Sequence, residues 1–168
     1  VRTISIGKLN IKSDFVVYDI GAGTGSVSIE IALKLNNGSL YAIEKDEDAI
    51  ELIKKNIEKF KAYNIELIKN TTPDGLYDIP KPDAVFIGGS SGNMDEIIDT
   101  VIRKNPYVNV VINTITLQSL NEGLNCMEKY SRFGCGLRAG RSFRGRCRRQ
   151  GPGSRLRARR SGVPGATK

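Results

Sequence analysis

The segment Asp19-Ile20-Gly21-Ala22-Gly23-Thr24-Gly25 sets three alternating glycines behind an apolar run and ahead of a helical pattern. Glycine permits a sharp turn and lets a ligand approach main-chain N–H groups at a helix start. The dinucleotide fingerprint GxGxxG is not met, because Ser26 stands where its third glycine belongs. Glu44 closes the next apolar run. A carboxylate there can accept both hydroxyls of a ribose lacking a 2′-phosphate. Alone, Glu44 reads as a solvated strand end; beside the glycine turn it reads as a partner for adenosine. NAD is the competing ligand, and a tight turn with no ligand is the bland alternative.

Other chemistries are closed off by what the chain lacks. It has no histidine, so histidine acid/base and triad chemistry are excluded. Cys126, Cys135 and Cys147 are odd in number and have no CxxC spacing, which argues against a disulfide scaffold and a zinc site. No metal is expected, and no residue type in the chain marks itself as a catalytic group. The 168 residues suit one domain without internal repeats. No run has the apolar length of a membrane span and no leader pattern opens the chain, so a soluble, cytoplasmic protein is expected.

The elements that must position the turn follow from apolar periodicity. Residues 15–20 are nearly continuously apolar, as in a strand buried on both faces. Helical spacing follows from Thr24 to about Leu35, with Asn37-Gly38 as a stop. Residues 40–44 form a second strand, and from the N-cap Asp46 the positions Ile50, Ile53, Ile57 and Phe60 mark an amphipathic helix. Strands are expected at 65–69, 83–87 and 108–115. Helices are expected from about Asn93 to near Pro106, over 117–130, and across the opening residues to Leu9. This alternation predicts an α/β fold with a parallel five-strand core and helices on both faces.

The pattern Asp19-x-Gly21-x-Gly23-x-Gly25 resembles the first motif of class I S-adenosylmethionine-dependent methyltransferases, whose Rossmann-like sheet matches the expected fold. The segments "YAIEKDEDAIELIKKN", "DAVFIGGSSGNMDEI" and "VVINTITLQSL" are more specific. They resemble the decarboxylating cobalt-precorrin methyltransferases of anaerobic cobalamin biosynthesis, from the opening "VRTISIGKLNI" to "EKYSRFG" near residue 134. The resemblance implies S-adenosylmethionine bound by Gly21, Ala22, Gly23, Thr24, Gly25 and Glu44, with Thr71 and Thr72 along the adenine edge. It implies a tetrapyrrole substrate beside Gly88, Gly89 and Ser90, methylated at carbon 15 with loss of carbon dioxide from the ring-C acetate. Asn113 and Thr116 are plausible polar contacts there, or ordinary strand-end caps. Homo-tetramers are implied by the relatives. The family's opening loop and its closing antiparallel strand pair are not recognisable in this chain, so the fifth strand is expected to be an exposed edge.

Composition then breaks. Residues 1–132 hold 15 Lys+Arg against 18 Asp+Glu, whereas 133–168 hold ten arginines, one lysine and no acid. The first stretch is expected to be the methyltransferase domain. The second reads as a disordered or artefactual tail, best explained by fusion to foreign sequence, since its amino acids favour G/C-rich codons. If the tail is genuine it is an arginine- and glycine-rich arm for RNA phosphates. Two alternatives then follow: an RNA methyltransferase of the same fold, or a non-catalytic RNA-binding module.

Overall fold

The computed structural model describes residues 2–131 and the backbone of residues 143–145. In chain order the elements are α1 (Arg2–Leu9), β1 (Val16–Ile20), α2 (Ser26–Ala32), β2 (Ser39–Glu44), α3 (Glu47–Phe60) and β3 (Ile65–Lys69). A 3-10 turn at Asp74–Leu76 precedes β4 (Ala84–Ile87), α4 (Met94–Lys104), β5 (Asn109–Ile112), α5 (Leu117–Ser131) and β6 (Phe143–Gly145). The sheet order is β3-β2-β1-β4-β5-β6, and β1 to β5 are mutually parallel. The expected parallel core is therefore present.

Strand periodicity of two sorts the core into two layers. Tyr18, Ile20, Ile43, Val85, Ile87 and Ile112 pack with Met94, Ile97 and Val101 of α4 and with Cys126 and Tyr130 of α5. The intervening residues Val17, Leu40, Ala42, Ala84, Phe86 and Val111 pack on the opposite face against α1 and α2. Each central strand is covered on both sides, which is why its sequence is apolar throughout. The chain runs one way from β1 to β3, then returns to β4 on the other side of β1. The carboxyl ends of β1 and β4 thus border a topological switch point, where open α/β sheets bind ligands.

Three of the boundary shifts exceed one residue. The helix expected from Thr24 begins at Ser26, because Gly25 adopts a left-handed conformation and caps it. Gly38 does not stop that helix. It lies against β1, where a Cβ would approach the Phe15 carbonyl oxygen to 2.2 Å. The fifth strand ends at Ile112 rather than at 115.

The expected exposed edge at β5 needs correction. Val110, Val111 and Ile112 pair antiparallel with Gly145, Arg144 and Phe143. Main-chain pairing requires no apolar side-chain pattern, so an arginine-rich segment can supply it where an open edge offers unpaired N–H and C=O groups. The remaining expectations for residues 133–168 (disorder, foreign origin, an RNA-binding arm) lie outside the described residues, as do Cys135 and Cys147. No helix among the described residues is long and apolar enough to cross a membrane.

Candidate active site

The glycine turn leaves β1 at the switch point. Gly21, Gly23 and Gly25 have φ values of 69°, 55° and 73°, the left-handed region that disfavours a side chain. Two of these positions also have no room. A Cβ on Gly21 would lie 2.7 Å from the main chain of Gly89, and one on Gly25 would lie 2.9 Å from Cγ1 of Ile53. Gly21 thus lets the turn after β1 touch the turn after β4, and Gly25 lets α2 approach α3.

Four N–H groups of the turn are already engaged. Those of Gly21 and Ala22 donate to the Ile43 carbonyl at 3.0 and 3.2 Å, and that of Gly25 donates to Ala22 at 2.9 Å. Gly23 donates to Glu44 Oε2 at 2.8 Å. The other Glu44 oxygen accepts from the N–H groups of Lys45 and Asp46 at 2.8 and 3.0 Å. Glu44 therefore ties the turn to the end of β2. That leaves few main-chain donors for a pyrophosphate.

Two adjoining cavities share Gly89 and Ser91. The first, about 380 Å³, is lined by Gly21, Glu44, Thr71, Thr72, Gly89 and their neighbours. Ala22, Gly23, Thr24 and Gly25 form the turn behind it and do not line it; the Thr24 carbonyl accepts instead from Asn56 Nδ2 at 2.9 Å. The second, about 330 Å³, is lined by Gly88, Gly89, Ser90 and Thr116, with Ile115, Gln118, Ser119 and Glu122. Asn113 lines neither cavity: β5 ends one residue before it, and its N–H donates to the Ile87 carbonyl at 2.9 Å.

Several contributors escape the sequence. Asn93 lines the first cavity and donates through Nδ2 to the Thr72 carbonyl at 2.9 Å, fastening the loop after β3 to the start of α4. Only its place near the start of a helix was legible. Asp19 is fully buried, and its Oδ2 accepts from Ser28 Oγ, while Oδ1 has no hydrogen-bond partner among the described residues. Burial pushes its carboxyl up to about 6; the Ser28 bond opposes that rise and the charge of Glu44 adds to it. Among the described residues, no group of three or more His, Cys, Asp or Glu is placed to hold a metal ion.

A family model described as a precorrin methyltransferase domain matches residues 1–144. The chain belongs to this family. The match extends past residue 134, where the sequence resemblance stops, and reaches β6. A probable cobalt-precorrin-6B C(15)-methyltransferase (decarboxylating) of Saccharolobus solfataricus is 42% identical over 135 residues, covering 77% of this chain and 67% of the relative. Its counterpart in Pyrobaculum calidifontis is 36% identical over 129 residues, covering 76% and 66%. The chain thus spans about two thirds of the length of these precorrin methyltransferases. The crystal structure of precorrin-6y C5,15-methyltransferase from Geobacter metallireducens superposes with a TM-score of 0.78 at 38% identity, covering 83% of this chain and 73% of that one. The precorrin methyltransferase sheet seen here is the class I methyltransferase fold.

Proposed function

We propose that the chain is the S-adenosylmethionine-binding domain of a decarboxylating precorrin C-methyltransferase, acting on carbon 15 of a cobalt-precorrin in anaerobic cobalamin biosynthesis. The observation that carries this reading is the pair of cavities meeting at Gly89 and Ser91, one walled by Gly21 at the head of the glycine turn and by Glu44. Cofactor and acceptor need adjoining compartments, and these two are divided by main chain with little side-chain bulk.

The residues fit the cofactor. Gly21 and Gly89 meet main chain to main chain in the wall of the first cavity, where a Cβ on Gly21 would force the two turns apart. Glu44 offers an acceptor-only group beside it, suited to a ribose diol, and the N–H groups of Gly21, Ala22, Gly23 and Gly25 are already bonded, which favours a sulfonium nucleoside over NAD. S-adenosylmethionine supplies an electrophilic methyl group on a cationic sulfur. Glu44 would hold the sugar, the Thr71-Thr72 main chain the adenine edge, and the turn from Gly21 to Gly25 the methionyl side. Gly88, Gly89 and Ser90 would let a flat macrocycle come close, with Thr116 at its rim. Asn113 would act on that rim only indirectly, through the main chain it anchors to Ile87. The protein's work is to position the acceptor carbon and exclude water, which supplies much of the rate for such a transfer without a covalent nucleophile.

Calorimetry with S-adenosylhomocysteine and NAD, followed by mass spectrometry of cobalt-precorrin-6B after incubation with S-adenosylmethionine, tests the assignment. The expected result is binding of the sulfur compound and a product that has gained a methyl group and lost carbon dioxide. Binding of NAD with no affinity for S-adenosylhomocysteine would replace it.

A further inference from the structure

Among the described residues, one ionisable side chain lines the second cavity: Glu122, on α5. Its Oε2 accepts from Ser90 Oγ and its Oε1 from Gln118 Nε2, each at 3.2 Å. Ser90 is 6% exposed, so this bond reaches the floor of the cavity beside the shared wall. Two of the neighbouring hydroxyls are otherwise engaged. Thr116 and Ser119 bond each other at 2.9 Å, and Ser119 also donates to the Thr116 carbonyl at 3.0 Å, closing the first turn of α5. Glu122 is therefore the group in this cavity able to take and give a proton.

Its charge is a cost to binding. A substrate bearing several carboxylates is repelled by another carboxylate in its own pocket. A cavity that only held such a substrate would gain nothing from Glu122, whereas one that must move a proton would. The proposed reaction has that requirement. After the acceptor carbon has gained its methyl group, the acetate C–C bond breaks, carbon dioxide leaves, and the electron pair enters the ring system, leaving an exocyclic methylene. Turning that methylene into a methyl group adds one proton to it and removes one from the newly methylated carbon. No proton is gained or lost overall, so a single carboxylate serves both ends.

We propose that Glu122 is this proton-transfer residue, a catalytic role that rests on the function assigned above. In it, Glu122 accepts the proton from the methylated carbon and delivers it to the methylene. Ser90, bonded to Oε2, orients the carboxylate as a positioning residue.

The test uses the full chain and cobalt-precorrin-6B in deuterium oxide, without the methyl donor. An acceptor carbon electron-rich enough to be methylated also exchanges its hydrogen, so the wild-type chain is expected to accelerate deuterium uptake there. Glu122→Gln keeps an oxygen for Ser90; it is expected to bind both the macrocycle and S-adenosylhomocysteine within about threefold of wild type yet to exchange about 100-fold more slowly. Glu122→Asp is expected to restore part of the rate. Exchange by Glu122→Gln at the wild-type rate would overturn the proton-transfer role while leaving the function intact. So would slow exchange explained entirely by lost macrocycle binding, which would make Glu122 a tether between α5 and β4. Failure of the wild-type chain to bind cobalt-precorrin-6B while binding S-adenosylhomocysteine would overturn the substrate assignment, and this role with it.

Discussion

Asp19 is a fully buried carboxyl with one oxygen held by Ser28 and the other without a partner among the described residues. Its pKa rises from 3.8 to about 6 in the fold, mainly through burial. The native state therefore holds the proton more tightly than the unfolded chain, and between those two values stability falls as pH rises. At pH 7 the ionised group costs about 3 kcal/mol by linkage. The stability of wild type relative to Asp19→Asn should thus rise as pH falls from 7 towards 4, read from urea midpoints. A difference that stayed constant over that range would show that Asp19 is not buried in ionised form. Glu44 accepts on both oxygens, from the N–H groups of Gly23, Lys45 and Asp46. Glu44→Gln keeps an oxygen for Gly23 but loses the charge. Calorimetry should show S-adenosylhomocysteine binding weakened about 10- to 100-fold, the scale of a charged hydrogen bond. Unchanged affinity would place the sugar elsewhere.

At the scale of elements, close approach shapes the site more than hydrogen bonding does. Gly25 combines a left-handed φ with 2.9 Å to Ile53, so Gly25→Ala should cost about 2–4 kcal/mol through backbone strain and overpacking together. In an Ile53→Ala background the packing part should vanish and the strain part remain, so a double-mutant cycle in urea separates them. Strictly additive effects would mean that the two helices do not meet there. The β3–α4 connection behaves differently. Asn93→Ala removes the bond to the Thr72 carbonyl on a partly exposed loop, so S-adenosylhomocysteine affinity should drop several-fold with little change in melting temperature. The same contrast explains what the sequence made legible. The glycine turn and the Asp46 cap could be read because local geometry alone demands those residues, and Asp46 does accept from Ala49 N–H at 2.9 Å. The pairings Asp19–Ser28 and Ser90–Glu122 could not, because only the folded sheet brings their elements together. Whether Asn113 would line a cavity or only cap its strand was illegible for a related reason: it depends on where the strand stops, and β5 stops at Ile112.

Over the whole molecule, acidic body and basic tail meet at β6. The composition break near residue 132 predicts a boundary there, yet Phe143–Gly145 lies on β5 and the family match runs to 144. What composition cannot register is main-chain pairing, which depends on an extended backbone and not on side-chain polarity. Two truncations separate the contributions. A chain ending at Gly145 retains the β6 strand over Val110–Ile112, so its urea midpoint should stay close to that of the full chain. A chain ending at Arg132 leaves those main-chain groups unpaired at a sheet edge beside an apolar core, and it should unfold at lower urea and associate in sedimentation experiments. Equal midpoints for the two truncations would show that the strand adds nothing to the sheet. Both should still bind S-adenosylhomocysteine, because every residue lining the first cavity precedes Pro106. RNA affinity, if the full chain has any, should weaken steeply with added salt and be absent from both truncations. Of the chain's ten tail arginines, only Arg138, Arg141 and Arg144 remain in the longer one, too few to offset the acidic body.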